Sequence, residues 1–219
     1  MHEITEVAGV AVLHRDAQLL VLDKPAGLLS VPGRGRDKAD CLSARVQAVV
    51  PDALVVHRLD MATSGLMVMA RGADMQRRLS RAFAEREVSK RYVAVVAGRP
   101  DARTGDWNVV DLPIAGDWPN RPLRIVDHER GQASVTRWRV LAHDAGAATS
   151  RLELEPLTGR THQLRVHLRA LGHPILGDGL YAPPGVAAAA PRLLLHACGL
   201  RLAHPLSGNA MEFSSMAPF

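Results

Sequence analysis

"HRLDMATSGLMVMA", residues 57–70, sets a single carboxylate, Asp60, between the basic pair His57 and Arg58 and the small-residue turn Thr63-Ser64-Gly65. No second acid follows it through residue 70. The tail "GLMVMA" is a short continuous apolar run, the pattern of a buried strand, and "DALVVH" just upstream is a second strand candidate. Asp60 is therefore expected on a loop between two core strands, where rigid flanks present a polar group to the outside. By itself the segment admits two readings, an Asp that caps a turn and a reactive carboxylate.

Further strands are predicted at "QLLVLD" (18–23, before the turn "KPAG"), "RYVAVVAG" (91–98), "ASVTRWRVLAH" (133–143), "SRLELEPL" (150–157) and "LLLHACGLRLAHP" (193–205). Between the last two, "APPGVAAAAPR" reads as a surface excursion. Two stretches have helical period. In "GADMQRRLSRAFAERE", Met75, Leu79, Ala82 and Phe83 fall on one stripe and leave Arg77, Arg78 and Arg81 outward. In "TGRTHQLRVHLRALGH", Leu164, Leu168 and Leu171 form a stripe, with Gly172 a C-terminal stop. Both helices are expected to be basic on the outside. Strands outnumber helices without alternating with them, which predicts an α+β fold with a mixed, largely antiparallel central sheet flanked by helices and loops.

The chain of 219 residues is 47% hydrophobic, with a mean hydropathy near zero, long enough for a substantial core in one domain. Its 27 Lys and Arg against 22 Asp and Glu leave a net charge of +5. That charge suits a polyanion such as nucleic acid, and equally an ordinary basic soluble protein. The two cysteines, Cys41 and Cys198, lie far apart in neither a metal-ligand nor a disulfide spacing, which fits a reducing cytoplasm. The start "MHEITEVAGVAVLHRD" lacks a secretory pattern, and no apolar run is long enough to span a membrane.

Several chemistries fit the pattern poorly. No P-loop or dinucleotide-binding glycine pattern occurs. His162, His167 and His196 lack the i, i+4 histidine spacing with a carboxylate of a helical zinc site. Ser64 in "ATSGL" lacks the flanking glycines of a nucleophile elbow. What remains is "PLTGRTHQLRVHLRALGH", holding Arg160, His162, Arg165, His167, Arg169 and His173 without an acid. If helical from about Thr161, it sets His162, Arg165 and Arg169 on one face. Such a face is either solvated or meets an anion, and an Arg there would favour the ionised form of a partly buried carboxylate. Tyr92, one of two tyrosines, begins a strand between basic residues. It is either core filler or a platform for a base, where stacking is worth about 1 to 3 kcal/mol.

Taken together, "HRLDMATSGLMVMA", "KRYVAVV" and "PLTGRTHQLRVHLRALGHPILGD" resemble, in order and spacing, the three main motifs of the RluA family of pseudouridine synthases. The similarity extends to "LDKPAGLLSVPGR", "DLPI" with "DWPNRP", and "RLLLHA". The resemblance implies one catalytic domain over residues 1–219, without an S4 RNA-binding domain, and an active-site cleft across the sheet. It is similar above all to the RluA branch, which acts on a tRNA anticodon stem-loop and a 23S ribosomal RNA stem-loop. By the same resemblance Asp60 is the catalytic aspartate, Tyr92 packs on the target uracil and Arg165 pairs with Asp60. Leu164 would hold the other face of the base, Arg58 would help fill the space left by the flipped nucleotide, and Arg160 and His162 would belong to the substrate-binding set. The family needs no cofactor and no metal, and a cytoplasmic monomer is expected.

This chemistry accounts for a lone carboxylate. Converting uridine to pseudouridine breaks the glycosidic bond, turns the uracil and rejoins it through carbon, whereas a glycosidase needs two carboxyls flanking the bond. Attack by Asp60 on the sugar, attack on the base, and removal of a sugar proton all fit the residues. Two other classes stay open at this point: a hydrolase using Asp60 as nucleophile, and a non-catalytic RNA-binding module.

Overall fold

The computed structural model describes residues 5–33, 35 and 39–219. Met1 to Ile4, at the start of the segment read for a secretory signal, and Arg34, the last residue of "LDKPAGLLSVPGR", lie outside the described residues. The chain divides into two compact units, residues 1–90 with 197–218, and residues 91–196 with Phe219.

The first unit is a sheet built on β3 (Leu19–Lys24) and β5 (Ser64–Arg71). β1 (Thr5–Val7) and β2 (Val10–Arg15) extend it as an antiparallel hairpin beside β3, and β3 pairs antiparallel with β5. The short β4 (Ala53–Val55) also pairs antiparallel with β5. β12 (Leu195–Ala203) lies beside β5 and carries β13 (Ala210–Ser214) as its antiparallel neighbour. Residues 66–70 of β5 are all buried, so both faces of the strand are covered. That is why its sequence reads as an unbroken apolar run rather than an alternation.

One face is covered by α2 (Ala73–Ala84), whose Leu79 is fully buried against Leu19, Val21, Leu66, Val68 and Leu200. Met75, Ala82 and Phe83 flank it as the stripe predicts, and Arg77, Arg78 and Arg81 are exposed. Burying Leu79 contributes about 1.5 to 3 kcal/mol. α1 (Leu42–Gln47) begins after its cap Cys41, whose sulfur accepts the Ala44 N–H, and neither Cys41 nor Cys198 is in a disulfide. Gly65, the second residue of β5, has φ +113, and a Cβ there would stand 2.3 Å from the carbonyl oxygen of Ala197. The turn therefore ends in glycine because two backbones meet at that point.

In the second unit β6 (Ser89–Ala97), β11 (Thr149–Pro156), β10 (Val135–Asp144) and β7 (Asn108–Asp111) follow one another as antiparallel neighbours. β8 (Ile114–Gly116) and β9 (Arg124–Val126) form a separate hairpin. α3 (Gln163–Ala170) lies against β9 and β11. The excursion at 182–192 is largely exposed and holds only the short α4 (Pro184–Ala188). β11 departs from strict alternation at Glu153, which is buried because Arg139 pairs with it at 2.5 Å and Arg91 at 3.4 Å.

The second predicted helix differs from its expectation. It starts at Gln163 rather than about Thr161, and His162 stands before it in the left-handed region at φ 57. Its residues 163–168 are all buried, Arg165 and His167 included, and only Arg169 of the predicted basic face is exposed. The outward charge of the helix is thus reduced to Arg169, because Gln163, Arg165 and His167 are satisfied by protein groups.

Candidate active site

Asp60 is half-buried on the loop between β4 and β5, with Leu59 buried beneath it and Arg58 exposed beside it. The Asp60 carbonyl accepts the Thr63 N–H at 3.1 Å, closing a tight turn that ends at the buried pair Thr63 and Ser64. Three groups hold this turn from behind. The buried Ser30 hydroxyl donates to the Leu59 carbonyl at 2.7 Å and accepts the Leu59 N–H at 3.1 Å, clamping the peptide next to Asp60 on both sides. Lys24, fully buried at the end of β3, donates to the carbonyls of Pro25, Leu28 and Met61 at 2.9, 2.8 and 3.2 Å. The Gly27 N–H also reaches the Met61 carbonyl at 2.8 Å. An ammonium is a multiple donor, and by bonding two carbonyls of the turn after β3 and one of the Asp60 turn it ties "DKPAG" to "HRLD".

His57 begins the loop as a structural group. Its Nε2 accepts the Val68 N–H at 2.9 Å and its ring stacks on Phe83, centroids 4.3 Å apart. Burial, reinforced by the nearby Lys90 charge, pushes it down from 6.5 to about 3. The ring is therefore neutral at physiological pH, with its proton on Nδ1.

In the second unit, Gln163 uses every atom of its amide. Oε1 accepts from the Thr158 hydroxyl at 2.7 Å and the Arg160 N–H at 3.0 Å, while Nε2 donates to the Val135 carbonyl and the Thr136 hydroxyl, both at 3.0 Å. One turn on, His167 bonds Thr136 Oγ1 through Nδ1 at 2.9 Å and the Leu112 carbonyl through Nε2 at 3.0 Å. Burial lowers its pKa, and neither ring nitrogen is left for a metal. These two side chains, at i and i+4, fasten one face of α3 to the sheet.

Another face carries Arg165, only 5% exposed, whose Nε and Nη2 donate to the two oxygens of Asp178 at 2.9 and 2.6 Å. The acid that the basic segment lacks comes from the end of "HPILGD". Leu164 is buried beside it. His162 Nδ1 lies 2.6 Å from the hydroxyl of the buried Tyr181. Tyr92 sits mid-strand in β6, half-buried, opposite Leu154.

Arg160 is exposed and lines a cleft of about 430 Å³ with Trp118, Arg124, Arg130, Gln132 and Thr161. Trp118 is 69% exposed, with the Arg121 guanidinium over its ring. Arg124 Nε is buried without a hydrogen-bond partner. Three guanidiniums and an open indole are a surface for phosphates and bases. Ser30, Lys24, Gln163, Asp178 and Tyr181 belong to this architecture without being predicted from the sequence as functional. Of these, only Lys24, a charge closing an apolar strand, departs visibly from its local pattern.

The first unit thus presents a half-buried carboxylate on a braced turn, and the second an arginine-lined cleft of the kind that suits an RNA-processing enzyme. The family model described as RNA pseudouridylate synthase matches residues 18–170, across the division between the units, and the chain belongs to that family. The dual-specificity RNA pseudouridine synthase RluA of Escherichia coli (strain K12) is 50% identical over 210 residues, covering 96% of this chain and 94% of that protein. The protein of the same name from Haemophilus ducreyi is 44% identical over 207 residues, 94% and 93% of the two chains. Among solved structures, Human RNA Pseudouridylate Synthase Domain Containing 1 is 30% identical, with a TM-score of 0.80 over 100% of this chain and 87% of that one. Human RNA Pseudouridylate Synthase Domain Containing 4 is 28% identical, with a TM-score of 0.74 over 94% and 88%. Among the described residues no helix is long and apolar enough to cross a membrane.

Proposed function

We propose that this pseudouridine synthase is dual in specificity, isomerising a uridine in a tRNA anticodon stem-loop and one in a 23S ribosomal RNA stem-loop. It would act as a cytoplasmic monomer, with residues 1–219 as one catalytic domain. The observation that carries this reading is the 50% identity, over 96% of the chain, to a relative named for dual specificity. Asp60 is the catalytic carboxylate, Tyr92 the platform for the uracil and Leu164 the wall of its pocket. Arg165 serves Asp60 as its cationic partner, Arg58 occupies the place of the flipped nucleotide, and Arg160 and His162 bind the RNA. The exposure of Arg58 and the burial of Leu164 suit those assignments.

Extruding the base from its stack costs a few kcal/mol, least in a loop. Stacking on Tyr92 returns a similar amount, so affinity rests on phosphate contacts. The cleft of Arg124, Arg130 and Arg160 and the outward arginines of α2 are the candidates. Of these, Arg77 and Arg130 already pair within their own turns with Asp74 and Asp127.

The test is incubation of the purified protein, with chelator and no added cofactor, on an unmodified anticodon stem-loop and a 23S fragment. Pseudouridine is mapped by carbodiimide labelling and primer extension, with Asp60→Asn alongside, since an alanine there confuses lost chemistry with lost stability. New pseudouridine in both RNAs, absent with Asp60→Asn, is expected. Modification of one RNA alone would refute dual specificity, and release of free uracil would point to a hydrolase.

A further inference from the structure

We propose that Asp178 and Tyr181 are positioning residues that fix the direction in which the Arg165 guanidinium points; this rests on the reading of Arg165 as part of the catalytic site. The guanidinium is held in its plane by the two-oxygen fork of Asp178, which engages Nε and Nη2. A planar group gripped along one edge has no remaining rotation, so the direction of Nη1 is set by Asp178. From the side, the Tyr181 ring lies under the same guanidinium at 5.0 Å.

Both partners are themselves tied down. Asp178 Oδ1 also accepts the N–H groups of Leu180 and Tyr181 at 3.0 and 3.2 Å, so the carboxylate is oriented by its own turn. The preceding Gly177 has φ +74, and a Cβ there would stand 1.8 Å from the Arg192 carbonyl oxygen, so the backbone carrying Asp178 is wedged in place. The Tyr181 hydroxyl accepts the Arg124 N–H at 2.9 Å and meets His162 Nδ1 at 2.6 Å. Tyr181 thus joins the β8–β9 hairpin, the residue before α3 and the guanidinium.

Stability alone explains this arrangement poorly. A buried ion pair loses the hydration of both ions and is often no better than an apolar pair of the same volume. What it supplies is geometry, and a reacting group misplaced by about 1 Å loses about 100-fold in rate.

The experiment is a double-mutant cycle between Asp178→Asn and Arg165→Lys on the full chain. It uses tritium release from a 5-tritiated uridine anticodon stem-loop, or the 23S fragment if that is the RNA modified, under single-turnover conditions. RNA affinity is measured in parallel and folding is checked by circular dichroism. Lysine keeps the charge of Arg165 and cannot be forked, so the two changes should not be additive. Asp178→Asn is expected to lower the rate about 10- to 100-fold in the wild-type background, with affinity within about 3-fold. In the Arg165→Lys background it should cost less than about 3-fold. Equal losses in both backgrounds, a loss confined to affinity, or an unchanged rate would overturn the proposal. A wild-type rate for Arg165→Lys alone would instead remove Arg165 from the reaction, and the proposal with it. If Asp178→Asn does not fold, Tyr181→Phe decides through the same cycle, because it keeps the ring and loses only the hydroxyl ties. A drop in rate of about 3- to 10-fold that vanishes with Arg165→Lys supports positioning, and an unchanged or background-independent rate overturns it.

Discussion

Acid should loosen this protein through His57 before it touches most carboxylates. In the folded chain the ring is held to about 3 by burial and the Lys90 charge, against 6.5 for the free side chain. Above about pH 6.5 the imidazole is neutral in both states and contributes no pH dependence. Below it the unfolded chain takes up a proton that the folded chain refuses until about pH 3, so stability falls as pH falls through that window. One proton of difference corresponds to about 1.4 kcal/mol per pH unit, or about 2 kcal/mol from about pH 6.5 to about pH 5. His57 is half-buried as a residue, and the exposure it retains reduces the expected loss to about 1 to 2 kcal/mol. The assay is urea denaturation of the wild type and of His57→Gln at about pH 7, 6 and 5. Glutamine keeps an acceptor near the Val68 N–H but cannot be protonated. It should start less stable, having lost the stack on Phe83, and follow the flatter curve. Other titrating groups, His167 among them, are common to both proteins and cancel. Parallel curves would refute the burial argument, since His57 would then titrate alike in both states.

Four further outcomes are expected. Gly65→Ala should destabilise by more than about 3 kcal/mol or abolish folding, because a Cβ meets the Ala197 backbone at a φ of +113; an unchanged urea midpoint would contradict this. Ser30→Ala removes both hydrogen bonds to the Leu59 peptide and should cost about 1 to 3 kcal/mol, and single-turnover tritium release should slow while RNA affinity holds. Lys24→Met takes the ammonium away from the carbonyls of Pro25, Leu28 and Met61 and should lower the thermal midpoint and the rate together; a fully active, equally stable variant would show that the Asp60 turn needs no ammonium behind it. RNA binding should weaken steeply with salt, and Arg124→Ala with Arg160→Ala should reduce the slope of log affinity against log salt by about 1 for each phosphate that is no longer neutralised. An unchanged slope in a gel-shift titration would move the RNA off that cleft.

The elements legible in the sequence are those whose signal is local. The unbroken run 65–70 announces a strand covered on both faces, the stripe of Met75, Leu79, Ala82 and Phe83 announces α2, and the three motif segments identify the family. Each rests on a period or an order of residues along the chain, which a sequence displays directly. Tertiary structure alone decided how the polar side chains are satisfied. The basic segment 160–173 reads as a wet cationic face, yet Arg165 and His167 are buried, because Asp178, Thr136 and the Leu112 carbonyl meet them there. Ser30 clamps Leu59 from 29 residues away, and Lys24 reaches the Met61 carbonyl across 37. Such pairings leave no periodic trace, since the chain separation between partners is set by topology and only packing brings them within hydrogen-bond distance. Asp60 is therefore marked by the sequence as the carboxylate to watch, while the hydrogen bonds that hold its turn, and the fork that aims Arg165, belong to the fold.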